Sequence, residues 1–431
     1  MSQPLVLPEV ITSMLAGFAP VFTQPTFETF GHYLGALMLG EGRRTGTSVA
    51  RSLAEAKSPG VYARLCSRAS WSATELLDRL WTLLLSALPF PREAQGRLLM
   101  WAALDDSVVA KTGKKMPGVA YHFHNDSADP AHVQPFLFGH CWMVLGLVWP
   151  TVSRALCFPR RAALYVRAKD CSPEDFQDKL SLALRLLKKV RWPERVCLRI
   201  LAEGAFATRD FFLGVRGQGF HLITRLKHNA NLRWPVAPVK KKTRGRPRLY
   251  GEKVDLTRYQ ETQQQQAQVR IGRKSYLASF STLDAVPRRF GELCRIVIVE
   301  LRGHKRAVLL SSDRALSATE IIEAYAMRFA IELAFRDLKQ RFGWGHYQVR
   351  SREAIERHVA LSFVAASLMT LLLVQRDASQ TMGQLRRGLQ QAALLAWIFC
   401  IMGKSALQYK NHLFQQLPLL RHPLLQGIAE V

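Results

Sequence analysis

Acidic residues are scarce in this chain of 431 residues, with 33 Asp and Glu against 60 Lys and Arg and a formal charge of +27. So large an excess needs an anionic partner. Nucleic acid comes before an anionic membrane surface, because the basic residues run from Arg43 to Arg421 instead of gathering in one tail. A disordered basic tail protein is excluded by 48% hydrophobic and 10% aromatic residues, which suit a chain that buries cores over two or three domains. The seven cysteines are odd in number and never spaced as CxxC, which argues against a disulfide framework or a zinc knuckle and for a reducing cytoplasm. The N-terminus has no charged segment before its apolar residues and does not resemble a signal peptide. The longest clean apolar run, Val359 to Val374, is too short to span a bilayer comfortably and predicts a buried helix. Gly403-Lys404-Ser405 lacks the leading glycine of a phosphate loop, since position 398 is Ile, and no internal repeat suggests a solenoid.

What is present reads as an α/β protein with helical ends. Residues 1–96 carry helical periodicity, with a capping box at Ser72 and Glu75 opening a leucine-rich stripe. This predicts a helical N-terminal DNA-binding domain, in which Arg43 and Arg44 meet phosphate just before a new helix; a solvated turn is the alternative. Over 97–225 the pattern changes to strands, Leu98 to Leu104 ending in Asp105-Asp106, Phe138 to Trp149, and Val196 to Ala202 ending in Glu203. A helix is predicted to start at Ser172-Pro173-Glu174-Asp175. Residues 226–290 read as a basic insertion holding Arg244, Arg246 and Arg248 in the form of a minor-groove hook, or else a basic linker. The core resumes over 291–374 with a hairpin turning at 302–305, and 375–431 reads as a helical C-terminal region. His122 and His124 read as strand residues rather than zinc ligands.

The most informative element is a helix opened by the capping box Ser317 and Glu320 and running to about Gln340. On it Tyr325, Arg328, Glu332 and Lys339 fall within an arc of roughly 60°, a carboxylate flanked by two cations and a phenol. Ile322, Phe329 and Leu333 are left for packing. A salt-bridged solvent face has the same spacing. A hard divalent metal on the carboxylate, with phosphate oxygens on the cations, is the functional reading. Asp105 or Asp106, Glu203 and Glu332 together suggest a two-metal phosphodiester site.

These residues resemble the DDE transposases of bacterial insertion sequences, whose catalytic core is ribonuclease H-like. Tyr325, Arg328, Glu332 and Lys339 match that family's Y-(2)-R-(3)-E-(6)-K signature, and Leu104-Asp105-Asp106-Ser107 resembles its first-aspartate strand. The resemblance implies catalytic and metal-ligating roles for Asp105, Glu203 and Glu332, with Asp106 second in rank for the first place. It implies DNA contacts by Tyr325, Arg328 and Lys339, and Mg²⁺ or Mn²⁺ as cofactor. The implied reaction is hydrolysis at the element ends followed by attack of the freed 3′-hydroxyl on target DNA. The implied partners are double-stranded DNA with terminal inverted repeats, target DNA, and a second copy of the chain in a homodimer, in the bacterial cytoplasm at the nucleoid and without a membrane. One position departs: the family's second acid is aspartate, whereas this chain has Leu201-Ala202-Glu203. Asp210 is the alternative, although it reads better as part of a helix start. Glutamate in that place separates two functions, a cutting transposase and an inactive or domesticated relative that only binds DNA.

Overall fold

The computed structural model describes residues 9–52, 57–123, 135–236, 249–301, 303–376 and 379–402, the side chains of 395–402 excepted. The chain opens with α1 (Glu9–Ala16), α2 (Gln24–Leu39), α3 (Gly46–Ser52), α4 (Pro59–Ser67) and α5 (Ala73–Ala87). Helix α5 starts where the Ser72 hydroxyl accepts the Glu75 N–H at 3.3 Å, and its stripe of Leu76, Leu80 and Leu84 is buried. Strands β1 (Leu98–Ala110), β2 (Ala120–Phe123), β3 (Phe136–Pro150) and β4 (Ala155–Tyr165) follow, then α6 (Lys179–Lys189) and β5 (Val196–Ala202). The chain continues through α7 (Arg209–Arg216), β6 (His221–Leu226), β7 (Leu232–Arg233), α8 (Leu256–Thr262), β8 (Gln265–Ile271) and β9 (Lys274–Pro287). It ends with β10 (Cys294–Leu301), β11 (Ala307–Ser311), α9 (Ala318–Met327), α10 (Phe329–Gln340), α11 (Arg352–Arg376) and α12 (Met382–Met402).

Within the sheet, β4, β3 and β1 run antiparallel to one another, and β5 and β6 join β1 in parallel. Helix α6 crosses from β4 to β5 and α7 from β5 to β6. This order, β4-β3-β1-β5-β6, is that of a ribonuclease H-like α/β core. Beyond β6 the sheet continues through β11, β10 and β9. The stretch 226–290, read from sequence as an insertion, therefore supplies β8 and β9 to the same sheet. Pairing of β9 with β10, and of β8 with β9, holds them there. The basic run with Arg244, Arg246 and Arg248 lies outside the described residues, as does His124.

Other expectations are corrected in detail. The helix predicted at Ser172 begins at Lys179, where the Asp178 carboxylate accepts the Ser181 N–H at 2.6 Å, while Ser172 closes a turn onto Asp175. The helical N-terminal region is not a separate body. Helices α2, α4 and α5 pack on α11, and their buried side chains belong to one continuous cluster with the sheet. The reason is α11 itself. Its apolar window is long enough to cross a membrane, yet 89% of it is buried inside the protein. A helix apolar on every side needs cover on every side, and the sheet covers only one. Buried Arg357 adds polar ties, donating from Nε to the Trp71 carbonyl at 3.1 Å and from a terminal nitrogen to that of Cys66 at 3.2 Å.

Candidate active site

Strand β1 does not stop at its aspartates. It runs six residues past Leu104, while its parallel partner β5 ends at Ala202, opposite Leu104. Beyond that point β1 is paired with β3 alone, so a notch opens in the sheet where Asp105 stands. Glu203 leaves β5 at the matching level, and the Thr224 hydroxyl of β6 fixes it by donating to the Glu203 carbonyl at 3.0 Å. Successive residues of a strand point to opposite faces, and this separates the two aspartates. Asp106 faces α6, where it pairs with Lys179 at 2.7 Å and accepts from the Cys141 thiol at 3.3 Å. Asp105 faces α10 and accepts from Arg328 at 3.2 Å.

Arg328 organises the site. The single helix expected over Ser317 to Gln340 is interrupted there: α9, with its full Ser317/Glu320 capping box, ends at Met327, and α10 begins at Phe329. The N–H of Arg328 turns tightly onto the Tyr325 carbonyl at 3.1 Å. From this bend one terminal nitrogen reaches Asp105 and the other Glu332 at 2.7 Å, and the guanidinium lies 5.9 Å from the centre of the Tyr325 ring. Burial weakens the Arg328 cation, and the two carboxylates more than restore it, so its pKa stands above the usual value. Burial also lifts the Asp105 carboxyl to about 7 despite Arg328, with Asp106 and Glu203 adding negative potential. Burial raises the Tyr325 phenol too, against Arg328 and Arg225 and together with Glu203. Asp105, Glu203, Tyr325, Arg328 and Glu332 therefore share one field. Lys339 lies on α10, half-buried. Phe329, expected to pack, is 52% exposed, because the bend turns it outward.

Carboxylate oxygens are hard donors suited to Mg²⁺, and an Asp105 carboxyl held this far above its ordinary range is a group short of positive charge. The three acids fit a divalent ion in donor type and in charge. The closer-set trio Cys197, His221 and Asp313 fits less well. The Asp313 carboxylate already accepts from Arg199 and from the Ala315 N–H.

Two adjacent arginines part company. Arg43 is exposed and lines a basic cleft. Arg44, expected to contact DNA, is 4% exposed; its guanidinium donates to the carbonyls of Gly40, Gly42 and Arg341, and its own N–H to His346 Nδ1 at 2.9 Å. It fastens the α2–α3 turn to the segment after α10. Asp210, the alternative second acid, is exposed in the first turn of α7, which Thr208 caps. Arg225 was missed by sequence reasoning. It is the one arginine of β6, nothing in the sequence sets it apart from the chain's other arginines, and only the fold brings its charge to bear on the Tyr325 phenol.

Comparison with known families assigns the chain to one of them. Residues 17–279 match the DDE superfamily endonucleases, well over half of the chain, and the protein belongs to that family. It is thus a transposase-like nuclease by family, and its family acts on DNA. The matched span ends before Glu332, whose place in the site rests on its tie through Arg328 to Asp105. No match is found among curated proteins.

Proposed function

We propose that the chain is an insertion-sequence transposase that cuts DNA at the ends of its element and joins the freed 3′-hydroxyls to target DNA. The observation that carries this reading is the Arg328 bridge between Asp105 and Glu332, residues far apart in sequence, in the notch beside Glu203. Asp105, Glu203 and Glu332 would hold divalent ions, Mg²⁺ or Mn²⁺, which when bound activate the attacking oxygen and stabilise the leaving one. Arg328 and Lys339 grip phosphate oxygens beside the scissile bond as charge-assisted donors. Tyr325, its ring against Arg328, positions the terminal nucleotide. The +27 charge draws the duplex in. Two copies of the chain bring two ends together, in the bacterial cytoplasm at the nucleoid, with the helices of residues 1–96 serving DNA recognition.

Glu203 favours one rival, a relative that binds element ends without cutting, because an added methylene displaces a ligand by about 1 Å and metal chemistry is sensitive to such shifts. Cleavage of a duplex bearing the inverted repeats, in Mg²⁺ or Mn²⁺, decides between them. The transposase reading expects cutting by the native chain and none by Glu332→Ala. Cutting by Glu203→Asp alone would assign the native chain to DNA binding only.

A further inference from the structure

We infer that the basic cleft at the far end of β1 holds the phosphate backbone of duplex DNA at a fixed distance from the acids, about six base pairs from the bond to be cut. The inference rests on the nuclease reading above and deepens it by naming where the duplex lies. The cleft has a volume of about 680 Å³ and no acidic residue in its lining. Besides the buried Lys111, its cations come from three separate segments: Arg43 between α2 and α3, Lys114 and Lys115 after β1, and Arg350 before α11. All four are exposed, and none makes an ion pair among the described residues. Other surface cations do pair, such as Lys57 with Glu28 and Arg352 with Glu356. Like charges gathered without counter-charges repel one another, and a polyanion removes that cost.

The segments are also locked together from beneath. Lys111, directly after β1, reaches the carbonyls of Gly345 at 2.6 Å and Tyr347 at 3.1 Å, its ammonium 3.1 Å from the centre of the Tyr347 ring. Arg44 ties the Arg43 turn to Arg341 and His346, as described above. At Gly343 (φ +63°) a Cβ would lie 2.7 Å from the Arg44 Cβ, so glycine is required for this close approach. Cations on a fixed frame lose little entropy on binding, unlike those of a flexible tail. The frame also sets direction. Asp105 and Val109 have the same parity on β1, and Val109 packs at Gly345, the segment that Lys111 ties down one residue past the strand's end. Six strand residues at about 3.3 Å each span about 20 Å, or about six base pairs of B-form DNA.

The test uses the full chain and a 30-base-pair duplex of mixed sequence. Affinity is measured by fluorescence anisotropy across about 50 to 200 mM KCl, the range over which phosphate contacts change affinity most visibly. Arg43→Ala, Lys114→Ala, Lys115→Ala and Arg350→Ala are combined in one variant. A second variant of equal charge carries Arg68→Ala, Lys188→Ala, Lys253→Ala and Lys274→Ala, all exposed and outside the cleft. The cleft variant is expected to lose about 3.6 from the log–log salt slope, at about 0.9 per phosphate, and to bind at least about a hundredfold more weakly. The control is expected to stay within about threefold, because a few scattered charges make no phosphate contact, and both should melt as the native chain does. Equal losses in the two variants, or none in either, overturn the inference. On a duplex that is cut, ethylated phosphates should interfere about six base pairs from the cleaved bond, and interference confined to that bond overturns the placement. Glu332→Ala tests the nuclease reading separately: it should abolish cutting and leave the salt slope unchanged.

Discussion

Asp105→Asn is expected to stabilise the metal-free protein while abolishing cleavage. The carboxyl is raised from 3.8 to about 7, chiefly by burial, which corresponds to on the order of 4 kcal/mol against the ionised folded state. Asparagine, neutral like the protonated carboxyl, removes that penalty, in which the pull of Arg328 on the ionised form is already included, and its amide oxygen can still accept from Arg328. The gain is therefore up to about 4 kcal/mol, or about 4 °C in a chain of 431 residues, whose unfolding entropy is roughly 0.9 kcal/mol/K. The sign depends on pH. Below 3.8 the carboxyl is protonated in both the folded and the unfolded chain, and the substitution changes little. As pH rises towards 7 the unfolded chain ionises first and the native protein loses stability, so the gain is complete above pH 7. Thermal melts at pH 4 and pH 8, with and without Mg²⁺, measure this. Native protein should gain from Mg²⁺ at pH 8, since binding to the folded state alone stabilises it, and Asp105→Asn should not. A variant that melts lower than native at pH 8, or that Mg²⁺ raises as much as native, would refute the account of Asp105 as a buried carboxylate awaiting a cation.

Asp106→Ala should retain cutting, because this residue serves Lys179 and Cys141 on the other face, whereas Asp105→Ala should lose at least about a hundredfold in rate; equal losses would place the ligand wrongly. Gly343→Ala should cost about 1–3 kcal/mol in urea unfolding, from its positive φ and the crowding of Arg44. It should also weaken DNA binding by shifting the Arg43 turn, so native affinity in a destabilised variant would separate turn from cleft. Arg357→Ala should cost about 3 kcal/mol, since buried carbonyls of Trp71 and Cys66 lose their donor. An unchanged denaturation midpoint would show that α11 holds the helices by apolar packing alone.

Much of the site was legible in one dimension because its parts are local. Tyr325, Arg328 and Glu332 lie one or two helical turns apart, so spacing brings them to one side even though the helix bends at Arg328. Asp105 and Glu203 were legible because each follows an apolar run, although β1 continues past Asp105. Between the two adjacent aspartates the family resemblance ranked Asp105 first, but the strand pattern alone could not, since which face each takes is decided by what packs there. Nor could Arg43 be told from Arg44: the distinction depends on Arg341 and His346, some 300 residues away. The stretch 226–290 looked foreign for its charge and glutamines, yet β9 pairs with β10 because backbone hydrogen bonding is indifferent to such composition.

The amino-acid sequence by itself determined the partner's charge, the α/β class, and the helix that carries Arg328 and Glu332, because composition and short periodicities are properties of the local chain. The tertiary structure alone decided that the helical ends share one core with the sheet, that β1 outruns β5 to open a notch at Asp105, and that four cations with no ion pair among the described residues meet in one cleft. Each of these depends on contacts between segments distant in sequence, and such contacts are set by which apolar faces and buried donors satisfy one another in three dimensions.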